Sequence, residues 1–211
     1  MKKRKKPMIK GELEMFQSSF PQTRTVRVER KTISKFTFNH VTSQRLVFDT
    51  VIFDQCVFDQ NELDHSEFLD CVFQQCMFIN TEFKHASFVR TEFLNCKFAG
   101  VKMLESLFEH VLFLETISKY LDIVDTTLKI VEFQQTNLDE STWFENKLSD
   151  ITLNQVSLVK SDFYNTSLKD IDLSSSIIDG MKIDLHNIKG ATIAPYQAEY
   201  LCHLIGVKIE R

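Results

Sequence analysis

The chain has 211 residues, 43% of them hydrophobic, and a net charge of −4, which allows one sizeable core but not several globular domains. No run of 18 apolar residues occurs, and the basic N-terminus lacks the apolar stretch of a secretory signal, so a cytoplasmic protein without a membrane span is expected. Nineteen Phe beside five Gly and three Pro argues against a globule built on many ordinary turns.

Residues 1–31 form a basic N-terminal extension with ten Lys or Arg against three Glu. The cluster Lys2 to Lys6 is of a kind that meets nucleic acid or an anionic membrane. Charge without apolar periodicity reads first as a flexible, solvated segment. Near its end, Val26 and Val28 alternate as in a strand, which would cap the first coil of the segment 32–194.

From Ile33 to Ile193 one apolar residue returns every five positions, as in Phe48, Phe53, Phe58, Leu63, Phe68 and Phe73. Only Ser43 and Ser118 break the series. A fixed short period marks a solenoid, whose units bury their apolar side against neighbouring units alone. Within a unit a second inward position lies two residues before the first, as Cys56 lies before Phe58. Two inward residues flanking an outward one predict a very short strand, and the remaining two residues must turn the corner. Cys56, Cys71, Cys76 and Cys96 share that second position with Ser66, Thr81, Ala86 and Thr91. The column therefore reads as small buried residues rather than a metal or redox site. Ser43 and Ser118 place a hydroxyl where a large apolar group belongs, which leaves open a bulge or a contact loop, and the resumed register means that a bulge at 117–121 would not be an insertion. At the C-terminus Pro195 suits the first turn of a helix and Gly206 its stop. Ala198, Leu201, Leu204 and Ile205 form an apolar stripe between them, and Val207 and Ile209 then alternate like a last strand.

The unit C/A/S/T-x-F/L-x-x, seen in CVFDQ, CVFQQ, CMFIN and ASFVR, resembles the pentapeptide-repeat family. That resemblance implies an all-β fold, a right-handed quadrilateral β-helix with four units in each 20-residue coil. Residues 32–194 would make about eight coils, a rod roughly 38 Å long at about 4.8 Å per coil. Residues 195–211, a short α-helix and strand, would close it. The run Ile188-Lys189-Gly190, then Pro195-Tyr196-Gln197-Ala198, then Leu204-Ile205-Gly206-Val207 is similar to the C-termini of Qnr-type quinolone-resistance proteins. The segment Trp143-Phe144-Glu145-Asn146-Lys147 resembles that group too. The group protects DNA gyrase and topoisomerase IV, so the resemblance implies a DNA mimic that binds a type II topoisomerase and lowers quinolone susceptibility. It also implies a homodimer through the C-terminus, with Tyr196, Ala198, Leu201, Leu204, Ile205 and Val207 at the interface. Many members carry loops between coils, for which the unbroken register here leaves little room.

In the 20-residue register the charges sort onto faces. Residues 32–211 carry a net −11 against +7 for residues 1–31. The face centred on Leu63, Phe83, Met103, Ile123, Trp143, Phe163 and Ile183 carries Glu62, Asp64, Glu82, Glu105, Asp122, Asp125, Glu145, Asp162 and Asp184. Only Lys84, Lys102 and Lys182 oppose them. The opposite face has Asp54, Glu92, Glu115, Glu132 and Asp172 and no base. Duplex DNA offers about one charge per 1.7 Å, or roughly 22 over such a rod, so mimicry would rest on shape and a few placed carboxylates.

No Gly-rich phosphate loop, HExxH or CxxC metal pair occurs in the sequence. His40, His65, His85 and His110 share one outward corner position and read as solvated, with His65 and His85 at most a weak metal pair. Carboxylates on a convex wall are desolvated too little for acid-base work. No enzyme, no cofactor and no catalytic residue is expected, nor direct nucleic-acid binding by the coil. Two further readings are a non-catalytic scaffold for another protein and a membrane-surface adaptor working through Lys2 to Lys6.

Overall fold

The computed structural model describes residues 2–16, 25–42, 45–204 and 206–208. Most five-residue units are a three-residue strand followed by a corner, as at Val57–Asp59, Val72–Gln74 and Met77–Ile79, while Ile117, Asn137, Ser157 and Ile177 make isolated parallel bridges in the same register. The middle residue of each strand points inward, and Phe58, Phe73 and Phe78 are buried. The last residue of the unit takes a left-handed conformation, with φ of 54° at Gln55, 52° at Gln60 and 53° at His65. That region is least costly for Gly, Asn, Asp and His. Corners are accordingly held by His40, Asn80, His85, Asn95 and Asp125, and the chain turns repeatedly with few glycines.

Units 20 residues apart pair in parallel, Phe53 with Phe73, Phe73 with Phe93 and Phe93 with Phe113. The result is a parallel β-solenoid of about eight coils with four faces, named by the inward residues Phe38, Leu63, Phe48 and Phe53. Along the Phe53 column the rings stack with centroids 4.4 Å apart at Phe53–Phe73 and 4.8 Å apart at Phe73–Phe93 and Phe113–Phe133. Each such pair adds about 0.5–1.5 kcal/mol beyond its burial. Several strands run straight through the corner between the Phe48 and Phe53 faces, as Arg45–Asp54, Leu107–Leu114 and Thr127–Gln134 do.

The second inward position does more than save space. Its side chain donates to the carbonyl of the large inward residue 23 positions earlier. Thr81 Oγ1 reaches Phe58 O at 3.1 Å, Thr126 Oγ1 reaches Met103 O at 3.1 Å and Asn146 Nδ2 reaches Ile123 O at 2.8 Å. Cys71 Sγ does the same to Phe48 O at 3.5 Å, and burial pushes its thiol well above the ordinary range, which keeps the donor proton in place. Ser118 also finds a partner. It is fully buried, its Oγ lies 3.3 Å from Thr116 Oγ1, and Ile117 keeps parallel bridges to Lys97 and Asn137. Of the two alternatives at 117–121, no bulge forms, because the hydroxyl is satisfied in register. Ser43 lies outside the described residues.

The ends are covered differently. Thr25–Ser34 pairs in the 20-residue register with Arg45–Asp54, so the coil takes in residues that the sequence assigns partly to the leader. Glu14–Met15 adds a short parallel strand along Lys31 and Thr32 beyond it. At the other end a 3-10 turn at Pro195–Gln197 leads into a helix at Ala198–Leu204, and Gly206 follows at φ +74°. Gln197 Nε2 donates to Leu173 O at 2.9 Å and Ser176 O at 2.7 Å, while the Tyr200 hydroxyl donates to Met181 O. These bonds seat the helix on the last coil. Val207 is exposed and outside any strand, and Ile209 lies outside the described residues. No helix among the described residues is long and apolar enough to cross a membrane.

The basic extension is not free in solvent. Residues 2–10 run along the corner between the Phe48 and Phe53 faces, against the direction in which the coils climb. Met8 N donates to Asp70 Oδ1 at 2.8 Å, Lys5 N to His110 Nδ1 at 3.1 Å and Lys2 N to Asp150 Oδ1 at 3.1 Å.

Candidate partner-binding faces

The alternation of inward and outward residues sets the Leu63 face. Parallel pairing lines Glu82, Lys102, Asp122, Thr142, Asp162 and Lys182 into one outward row, with Glu62 bridged to Glu82 below them. Asp64 and Lys84 begin a second row, and Glu105, Asp125 and Glu145 stand in the left-handed corner beside it. All nine predicted acids thus lie along one side of the rod, each exposed or half-buried. Three have a charged or titratable partner, and Glu145 Oε1 accepts from Asn165 Nδ2 at 3.4 Å. Glu105 Oε1 is 3.6 Å from Lys84 Nζ, Asp162 Oδ2 is 3.9 Å from Lys182 Nζ, and Asp64 Oδ1 is 3.7 Å from His65 Nε2. The other six have no ion pair among the described residues. Each carboxylate is at least partly open to solvent, where ion pairs are weak and salt-sensitive.

His65 and His85 stack with centroids 4.7 Å apart. With Asp64 they bring three ligand atoms within 4.8 Å of one another, the only group of this kind among the described residues. Glu105 Oε2 stands 3.7 Å from His85 Nδ1. The cluster is exposed and gives a cation little dehydration. His110 is the exception to the solvated-corner reading. It is buried, and burial holds its imidazole below the ordinary value.

The Phe53 face is where the extension changes the surface. The Arg4 side chain is 6% exposed, with Nη1 2.8 Å from Glu92 Oε1 and Nε 3.3 Å from Glu132 Oε2. Pairing places Leu112 directly between those two glutamates, and Leu112 is buried although its position points outward. The adjoining corner is buried as well, at Thr50, Asp70, His110 and Ile130. Equivalent residues at other corners, such as Gln55, His65, Gln75 and Asn95, are exposed. Asp70 holds two donors at once, the Arg90 guanidinium at 2.7 Å through both oxygens and the Met8 N–H. Sequence reasoning put Glu92 and Glu132 on this face but missed their occupant. The available signals were Leu112 and Ile130, apolar residues at outward positions on the same side.

Of the residues expected at a dimer interface, Tyr196 is 69% exposed, Val207 is exposed, and Ala198 and Leu201 are half-buried. The Leu204 side chain and Ile205 lie outside what the structure describes.

A solved structure shares this architecture. A trypsin-treated variant of QnrB1, a plasmid-mediated fluoroquinolone resistance protein, superposes with a TM-score of 0.59 at 16% identity, covering 88% of this chain and 95% of that chain. Full-length QnrB1 gives a TM-score of 0.32 at 14% identity over 83% of this chain and 100% of that one. HetL, a pentapeptide repeat protein involved in heterocyst differentiation regulation from the cyanobacterium Nostoc, gives 0.31 at 11% identity, with coverages of 82% and 85%. At such identity the first shows a shared fold alone, and the other two are too distant to argue from. No curated protein matches the chain. The family model described as the pentapeptide repeat region matches residues 46–120, 67–143 and 88–163. Those matches span more than half of the chain and fall on the coils built from five-residue units: the chain belongs to the pentapeptide-repeat family.

Proposed function

We propose that the chain is a DNA mimic that binds a type II topoisomerase, gyrase or topoisomerase IV, and lowers susceptibility to quinolones. The observation that carries this reading is the Leu63 face, which with its adjoining corner bears nine carboxylates, six of them without an ion pair among the described residues. A protein surface built to hold duplex DNA attracts such a rod electrostatically and accepts its straight outline. The QnrB1 variant, described as a fluoroquinolone resistance protein, supplies the same fold at low identity. A dimer through the C-terminal helix would double the length of the acidic row.

The test is gyrase supercoiling in the presence of a fluoroquinolone, with purified protein titrated in. The expected result is recovery of supercoiling, lost when Asp64, Glu82, Glu105 and Asp122 are all reversed to Lys. No recovery with either gyrase or topoisomerase IV overturns the proposal. A protein scaffold is the second reading, favoured by the exposed Met77, Ile117 and Ile177 on the Phe38 face, which suit an apolar protein partner better than a DNA groove.

A further inference from the structure

Residues 2–10 meet the coil in a regular way. The backbone N–H groups of Met8, Lys5 and Lys2, every third residue, bond to Asp70, His110 and Asp150, every second coil of the same corner. Three residues of extended or polyproline-II chain advance about 9–10 Å. Two coils climb about 9.6 Å. The two periods coincide, so a straight peptide laid on this corner keeps its register without strain.

The side chains add selectivity to that backbone pattern. Arg4 enters between Glu92 and Glu132 over the buried Leu112. Its contact with Glu92 is close, yet neither Arg4 Nη1 nor Glu92 Oε1 has a hydrogen bond of normal geometry, although both atoms are buried. A buried arginine facing two carboxylates is held by mutual need, since removing either side leaves charge uncompensated. The remaining cations at Lys2, Lys3, Lys5, Lys6 and Lys10 complement the acidic character of the coil through the longer-range field.

We propose that this corner is a docking site for an extended, basic, arginine-containing peptide, and that the chain's own residues 2–10 occupy it in cis. A basic peptide supplied in trans must displace the arm, so the two compete for one site. The site lies away from the Leu63 face and stands or falls independently of topoisomerase binding.

The experiment uses the full-length chain with Arg4→Glu, in which the arm is undocked, and a fluorescein-labelled peptide of residues 2–10 followed by anisotropy. Saturable binding is expected, at least tenfold tighter than to the wild-type chain, whose arm fills the site. Adding Glu92→Gln and Glu132→Gln should weaken it at least tenfold, as should replacing arginine by alanine in the peptide. A scrambled peptide of the same composition that binds equally well overturns the proposal, because general attraction then explains the contact. So does absence of binding to a variant whose circular dichroism matches the wild type. If Arg4→Glu does not fold, trypsin decides: cleavage after Arg4 and Lys5 should be at least tenfold slower in the wild type than in the Glu92→Gln/Glu132→Gln chain. Equal rates overturn the proposal.

Discussion

Ile130 sits at a corner with φ +56°, a conformation that costs a β-branched residue about 1–2 kcal/mol. It is 4% exposed, and burying such a side chain contributes about 1.5–3 kcal/mol. The two effects oppose each other, and the arm decides the balance. Ile130→Asn is expected to lower stability by about 1 kcal/mol in the wild-type chain. In the Arg4→Glu chain, where the arm no longer covers the corner, the same change should raise stability by about 1 kcal/mol. Urea midpoints of the four chains measure both signs. His110 belongs to the same corner. Burial holds its imidazole below 6.5, Lys5, Lys129 and Arg90 disfavour the proton further, and Glu109 opposes them. The folded chain therefore takes up this proton less readily than the unfolded chain. Stability from this group is complete above pH 6.5 and declines as pH falls below it toward the folded value. His110→Gln should flatten that part of the pH dependence in denaturation curves taken between pH 5 and 8.

Among the elements, the coil was legible in the sequence and the arm was not, for a physical reason. Phe48, Phe53 and Phe58 announce their burial through local spacing, because each unit repeats the same inward and outward pattern. The contact between Arg4 and Glu132 spans 128 residues, and a run of lysines looks the same whether solvated or seated. The second inward position was legible as small but not as a donor. Thr126 shows what size alone misses, since it donates to Met103 O and accepts from Ser106 N at 3.2 Å. Thr126→Val keeps the shape and strands both groups, so a loss of about 1–3 kcal/mol is expected, whereas Thr126→Ser should cost less than about 1 kcal/mol. Hydrogen exchange should place the loss in the two coils around residue 126, because a solenoid unit leans on its nearest neighbours.

For the whole molecule, the asymmetry of the two ends matters. The start carries the short strand Glu14–Met15 over its edge, while the far end carries a helix with Tyr196 outside it and Leu201 half-buried. If that end is the dimer contact, Leu201→Arg should convert a dimer into a monomer in light scattering after size exclusion, with the coil's circular dichroism unchanged. The match of three arm residues to two coils reaches further, into how such a chain can lengthen. Duplicating one 20-residue coil between Asp70 and Asp150 would throw the arm half a period out of phase, facing side chains where N–H groups should be. Duplicating two coils would require only three more residues in the arm. An armed solenoid of this kind grows in even steps, and coil number acquires a parity that the core itself does not impose.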